Sequence, residues 1–137
     1  MVSSKIVLCS GCWDILHIGH LRHLQAARRY GDWLVVSVTK YAYVKKGPRR
    51  PVFSDRERRE MVGALNCVDQ TVLVADQLEA FEMVKPHVLV KGGDYLTRIE
   101  PEHRDYCKAH GIEIVFTNEA HYSSTDLLHY YDRSEPR

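Results

Sequence analysis

Five short apolar runs alternate with stretches of helical character, and that alternation constrains the chain more than any other feature. Lys5-Ile6-Val7-Leu8-Cys9 and Trp33-Leu34-Val35-Val36-Ser37-Val38 have the near-continuous hydrophobicity of strands buried on both faces. Thr71–Val74, His87–Val90 and Ile112–Phe116 continue the series. Helical patterns fill the intervals: Gly19–Tyr30 with Gly31 as a C-terminal stop, Gln77–Lys85, Pro101–His110 and Thr125–Tyr131. Ser54-Asp55-Arg56-Glu57 carries the serine and the glutamate three residues on that form a capping box, opening a helix to about Leu65. Strands alternating with helices predict an α/β fold, a doubly wound parallel sheet of about five strands with helices on both faces. Ligands in such sheets bind beyond the carboxyl ends of the strands. The chemically unusual segments fall at those ends: Gly11 to His20, Lys40 to Arg50, Lys91 to Tyr95 and His121 to Thr125.

At 137 residues the chain suits a single domain, 1–137, with enough interior to fold without crosslinks. A formal net charge of +1 gives no general reason to expect nucleic-acid or membrane-surface binding. No apolar run approaches the roughly 20 residues of a membrane span, and the N-terminus lacks the pattern of a secretory signal. A cytoplasmic location is the expectation. Cys9-Ser10-Gly11-Cys12 is formally a C-x-x-C, but Cys9 falls inside a strand pattern, and Cys67 and Cys107 supply no second pair for zinc. Incidental buried or turn cysteines are the favoured reading.

His17-Ile18-Gly19-His20 follows the first strand at the start of a helix. Side chains three apart there share a face, next to unsatisfied backbone N–H groups and the positive end of the helix dipole. That is a phosphate site in chemical terms, and imidazole donors in it would stabilise charge developing on phosphorus. Gly19 leaves room for a nucleotide to approach closely. Any one of these histidines, read alone, is more readily an ordinary structural one. His17, His20 and His23 do not have the H-x-x-x-H spacing of common zinc hydrolases, and no metal site is expected. The long basic loop Thr39–Phe53 reads as functional or mobile, and its cations read alone as a solvated run.

Gly11-Cys12-Trp13-Asp14-Ile15-Leu16-His17-Ile18-Gly19-His20 resembles the G-x-F-D-x-x-H-x-G-H signature of the cytidylyltransferase-like nucleotidyltransferases, which have a Rossmann-like fold. The resemblance spans nearly the whole chain. It continues through Lys46-Gly47 and Arg50-Pro51-Val52 in the basic loop, then Arg58, Gly63-Ala64-Leu65 and Val68-Asp69. Val90-Lys91-Gly92-Gly93-Asp94-Tyr95 is similar to the V-K-G-G-D-Y of bacterial heptose-1-phosphate adenylyltransferases, and Ser123-Ser124-Thr125 to the S-T-T or I-S-S-T motif. Trp13 stands in place of the usual phenylalanine, and Thr39-Lys40-Tyr41 lacks the S-D or T-D dipeptide of many members. Tyr41 and Tyr43 would then shape a different acceptor pocket. Asn66 replaces the arginine of glycerol-3-phosphate cytidylyltransferases. The K-M-S-K-S of class I aminoacyl-tRNA synthetases and a Walker A loop are both absent.

The resemblance implies attack by a substrate phosphate oxygen on the α-phosphorus of ATP or CTP, with Mg2+ accompanying the triphosphate and pyrophosphate leaving. His17, His20, Lys46 and Arg58 would be the catalytic set. Gly11, Cys12, Trp13, Asp14, Gly19, Lys91, Gly92, Asp94, Tyr122, Ser123, Ser124 and Thr125 would bind nucleotide. Asp14 has two open roles, orienting a loop or meeting magnesium through water. The partners implied are the triphosphate and a small phosphorylated acceptor, in a homodimer. Adenylyl transfer to a sugar phosphate, best heptose 1-phosphate, leads; cytidylyl transfer to a polyol or amino-alcohol phosphate and adenylyl transfer to FMN follow. A nucleotide-binding module without turnover is the reading from another class.

Overall fold

A computed structural model describes residues 4–93 and 98–118. Within them β1 (Ile6–Gly11), β2 (Trp33–Thr39), β3 (Gln70–Val74), β4 (Val88–Gly92) and β5 (Glu113–Thr117) form one sheet in the order β3-β2-β1-β4-β5. Every neighbouring pair is parallel, as the strand–helix alternation predicts. The described helices are α1 (Ile18–Arg28), α2 (Asp55–Gly63), α3 (Gln77–Val84) and α4 (Pro101–His110), and a single 3-10 turn, Tyr41–Tyr43, follows β2.

Side chains alternate across the sheet and build two cores. Val7 and Cys9 of β1, Leu34, Val36 and Val38 of β2, and Val88 and Val90 of β4 pack with Leu24 and Ala27 of α1 and Val62 of α2. Leu8, Val35 and Leu89 face the other way, onto Ala80 and Phe81 of α3 and Cys107 of α4. Burial on both faces explains why the strands read as unbroken apolar runs, each buried Val, Leu or Phe contributing about 1.5–3 kcal/mol.

The helix ends have local causes, one of which differs from expectation. Ser54 caps α2, its Oγ accepting from the Glu57 amide while Glu57 accepts from the Ser54 amide, as the capping box predicts. Gly111, left-handed at φ 67°, ends α4. Gly31 is not the left-handed stop expected of it, because α1 already closes on a right-handed Arg29. Its missing side chain serves packing: a Cβ would lie 2.6 Å from the Lys5 carbonyl oxygen and 2.6 Å from Val7 Cγ2. The expected helix Thr125–Tyr131 lies outside the described residues.

The sheet opens where the strand order reverses. β1 pairs with β4 only through Val7↔Val88 and Leu8↔Leu89. The pairing of β1 with β2 runs on to Gly11↔Val38, and that of β4 with β5 to Gly92↔Thr117. The two central strands therefore part beyond Leu8 and Leu89, leaving a crevice at the carboxyl edge between Gly11 and Gly92, where doubly wound sheets take their ligands.

Candidate active site

His17 is the N-cap of α1, extended at φ −141° and ψ 177°. Its Nδ1 accepts from the Gly19 amide at 3.0 Å, while its own amide donates to His20 Nδ1 at 3.2 Å. This is a capping box in which two imidazoles replace the usual serine and glutamate. The consequence is chemical. An Nδ1 that accepts a backbone N–H carries a lone pair, so in each neutral ring the proton sits on Nε2. The backbone thereby sets both histidines as Nε2–H donors. The rings stack at 3.9 Å between centroids, and no acid stands in the first turn of α1 to compete for an anion.

The surroundings of both imidazoles favour the neutral form. Burial lowers the pKa of His17. Burial, reinforced by His17, Lys46 and His23, lowers that of His20 to about 4. Lys46, in the basic loop, lies near enough for its charge to disfavour the His20 imidazolium. Trp13 presents an edge to His20 at 5.5 Å and stacks on His23 at 6.4 Å, and His23 Nδ1 lies 2.8 Å from Thr117 Oγ1 at the end of β5. Trp13 is buried, with its indole N–H on the Ser37 carbonyl at 3.0 Å, so it acts as a wall behind the histidines. Its backbone is left-handed, φ 53°, a conformation that costs a residue other than glycine about 1–2 kcal/mol.

Asp14 and Arg58 depart most from their expected places. Asp14 is buried at 4 % exposure, and its carboxylate accepts from the Val52 and Phe53 amides and from Arg50 Nε at 3.0 Å. Both oxygens are engaged by protein donors from the loop, the arrangement that the first of its two open roles, loop orientation, calls for. Arg58, expected on a phosphate, is 1 % exposed. Its guanidinium donates to the carbonyls of Phe53, Cys12 and Thr39 and to the Asp55 carboxylate. It is a strut beneath the site, because a group surrounded by protein acceptors has no face to offer a phosphate.

Gly11 ends β1 and Cys12 follows it, and a Cβ on Gly11 would meet the Trp13 indole at 3.2 Å. Gly19 is buried in the first turn of α1. Lys91 and Gly92 are half-buried at the carboxyl end of β4. Lys46 is exposed in the loop. The expected contacts at Asp94, Tyr122, Ser123, Ser124 and Thr125 lie outside the described residues. The four cysteines are unbridged, and burial pushes the Cys9 thiol up to about 12, far from the range of a redox or metal-binding thiolate. Among the described residues no group of three or more His, Cys, Asp or Glu side chains is placed to hold a metal. Nor is any described helix long and apolar enough to cross a membrane.

Sequence reasoning did not find the Asp14–Arg50 pair, the Arg58 strut or the His23–Thr117 contact. Only the buried Asp14 carried a signal, as a turn residue next to an otherwise apolar segment.

Comparison with known proteins matches residues 8–129 to the cytidylyltransferase-like family. The chain belongs to that family. Curated relatives of this cytidylyltransferase-like chain include the bifunctional protein HldE of Geobacter metallireducens, 45% identical over 95 residues. That match covers 66% of this chain and 19% of the relative. HldE of Syntrophotalea carbinolica is 44% identical over 94 residues, again covering 66% and 19%. The cytidylyltransferase-like chain thus spans only a small part of the length of these relatives. Among solved structures, the lipopolysaccharide core biosynthesis protein from Thermoplasma volcanium superposes with a TM-score of 0.72 at 26% identity, covering 88% of this chain and 100% of that one. Pantothenate synthetase from Thermus thermophilus shares the fold, with a TM-score of 0.58 at 17% identity, covering 84% of this chain and 55% of the other.

Proposed function

We propose that the chain transfers AMP from ATP to the phosphate of a sugar phosphate, with heptose 1-phosphate as the acceptor, and releases pyrophosphate. The observation that carries the reading is the pair of backbone-set Nε2–H donors at the positive end of α1, beside the crevice and under the charge of Lys46. An acceptor phosphate oxygen, already anionic near neutral pH, attacks the α-phosphorus, and the bond to the bridging oxygen of the β-phosphate breaks. No general base is required. Neutral imidazole N–H groups and an ammonium suit this step, since they stabilise the charge that builds on phosphoryl oxygens. With Asp14 engaged by the loop, magnesium would come as part of the Mg–ATP co-substrate, where it would neutralise phosphate oxygens. Adenylyl transfer to a heptose phosphate draws support from the V-K-G-G-D-Y resemblance at Val90–Tyr95 and from the HldE relatives.

Pyrophosphate release, measured with ATP and CTP against a panel of sugar, polyol and amino-alcohol phosphates and FMN, tests the proposal. ATP with heptose 1-phosphate is expected to turn over fastest. Preference for CTP with a polyol phosphate, or for FMN, would replace the substrate assignment. Binding of triphosphate without release for any acceptor would replace the enzyme by a binding module.

A further inference from the structure

The segment Cys12-Trp13-Asp14 and the basic loop hold each other through contacts that run in both directions. From the first segment, the Asp14 carboxylate takes the amides of Val52 and Phe53 at 2.8–3.0 Å and Arg50 Nε at 3.0 Å. From beyond the loop, Arg58 returns a guanidinium N–H to the Cys12 carbonyl at 2.8 Å, and others to Thr39 at 2.7 Å and Phe53 at 3.0 Å. Thr39 closes β2 just before the loop, and Phe53 ends it. Arg58 thus gathers both feet of the loop and the phosphate-site segment on one group. Trp13, left-handed between Cys12 and Asp14, is the pivot that sends the Cys12 carbonyl to Arg58 and the Asp14 side chain to the loop.

We propose that Asp14 and Arg58 are positioning residues, forming a two-point clasp that sets the basic loop so that Lys46 stands over His17 and His20. The inference rests on the nucleotidyl-transfer reading and deepens it, because it assigns to these two residues an action through Lys46 rather than contact with phosphate or magnesium. The ends of the loop are held by hydrogen bonds, while Lys45, Lys46 and Arg49 are exposed. Loosening the ends displaces the lysine without emptying the core, and a misplacement of about 1 Å in such a site costs on the order of 100-fold in rate.

A double-mutant cycle separates this action from the alternatives. Asp14→Asn, nearly isosteric, is expected to lower kcat about 100-fold while leaving the KM for ATP within about threefold. In a Lys46→Ala background the same substitution should cost less than about threefold more, because the group being positioned is gone. Arg58→Lys, whose single ammonium cannot reach three carbonyls, should follow the same pattern. Trypsin should cut after Lys45 and Lys46 faster in Asp14→Asn than in the native protein, with the melting temperature within a few degrees. An equal loss in both backgrounds would assign Asp14 a direct part in the chemistry and overturn the proposal, as would an unchanged trypsin rate. Should Asp14→Asn not fold, the Arg58→Lys cycle decides. Should the native protein release no pyrophosphate with any acceptor, the nucleotidyl-transfer reading falls, and the trypsin comparison alone still tests the clasp.

Discussion

His20 shows how the fold holds a side chain against its solution preference. Its pKa, lowered to about 4 by burial and by the neighbouring imidazoles and the Lys46 ammonium, lies below the value near 6.5 of an unfolded histidine. Between those limits the unfolded chain binds the proton more readily than the native one, so native stability falls as pH drops from about 6.5 to about 4 and is complete above that window. Thermal melting across pH 4–7 should show this slope, and His20→Asn should remove much of it; a slope unaltered by that substitution would place its origin elsewhere. The same neutrality serves the proposed chemistry, because a proton on Nε2 is what a phosphate oxygen meets. His17→Ala and His20→Ala should each lower kcat by about 10²–10³-fold, the range for loss of one preorganised donor, with the fold intact and the melting temperature lowered only by the few degrees that loss of a helix cap brings. Near-native turnover in both variants would remove the histidines from the mechanism.

At the scale of the elements, what the sequence made legible was whatever its own neighbours decide. The strands stand within a residue or two of their predicted limits, because a strand buried on both faces is apolar throughout. Pro101–His110 agrees at both ends, with proline at its first turn and Gly111 at its close. His17 and His20 were legible for the same reason, since a helix start joins residues three apart. The fates of Asp14 and Arg58 were not. The partners of Asp14 lie 36–39 residues away, and Arg58 reaches back 19 residues to Thr39 and 46 to Cys12, so only the folded sheet decides that Arg58 meets Cys12 rather than a phosphate. Gly31 was legible as necessary but not in its cause, since glycine before a strand signals a helix stop as readily as a close approach. Gly31→Ala tests the difference: it should destabilise by about 1–3 kcal/mol in urea unfolding, as overpacking does, whereas a position needing no space would show a change near zero or a slight gain.

Across the whole molecule, a near-balanced net charge of +1 conceals an uneven distribution. Lys40 follows the last residue of β2, Lys45, Lys46 and Arg49 lie in the loop, and Lys91 sits near the end of β4, all at the carboxyl edge. Two acids beside the loop, Asp14 and Asp55, are paired with Arg50 and Arg58. Such a positive rim, exposed at Lys45, Lys46 and Arg49, draws polyanions most strongly at low ionic strength. The KM for ATP should therefore rise several-fold between about 0.05 and 0.5 M salt, with kcat changing less; a KM indifferent to salt would mean that the rim takes no part in capture. The clasp has a further consequence for change over evolutionary time and in the laboratory. Its contacts all fall on the loop's feet, whereas the tip is exposed, Gly47 and Arg49 take left-handed conformations, and a side chain built on Gly47 meets nothing within 4 Å. Residues 45 and 47–49, on either side of Lys46, form an exchangeable cassette between fixed sockets, where composition can be rewritten to suit a new pair of substrates while Lys46 and the scaffold beneath stay as they are.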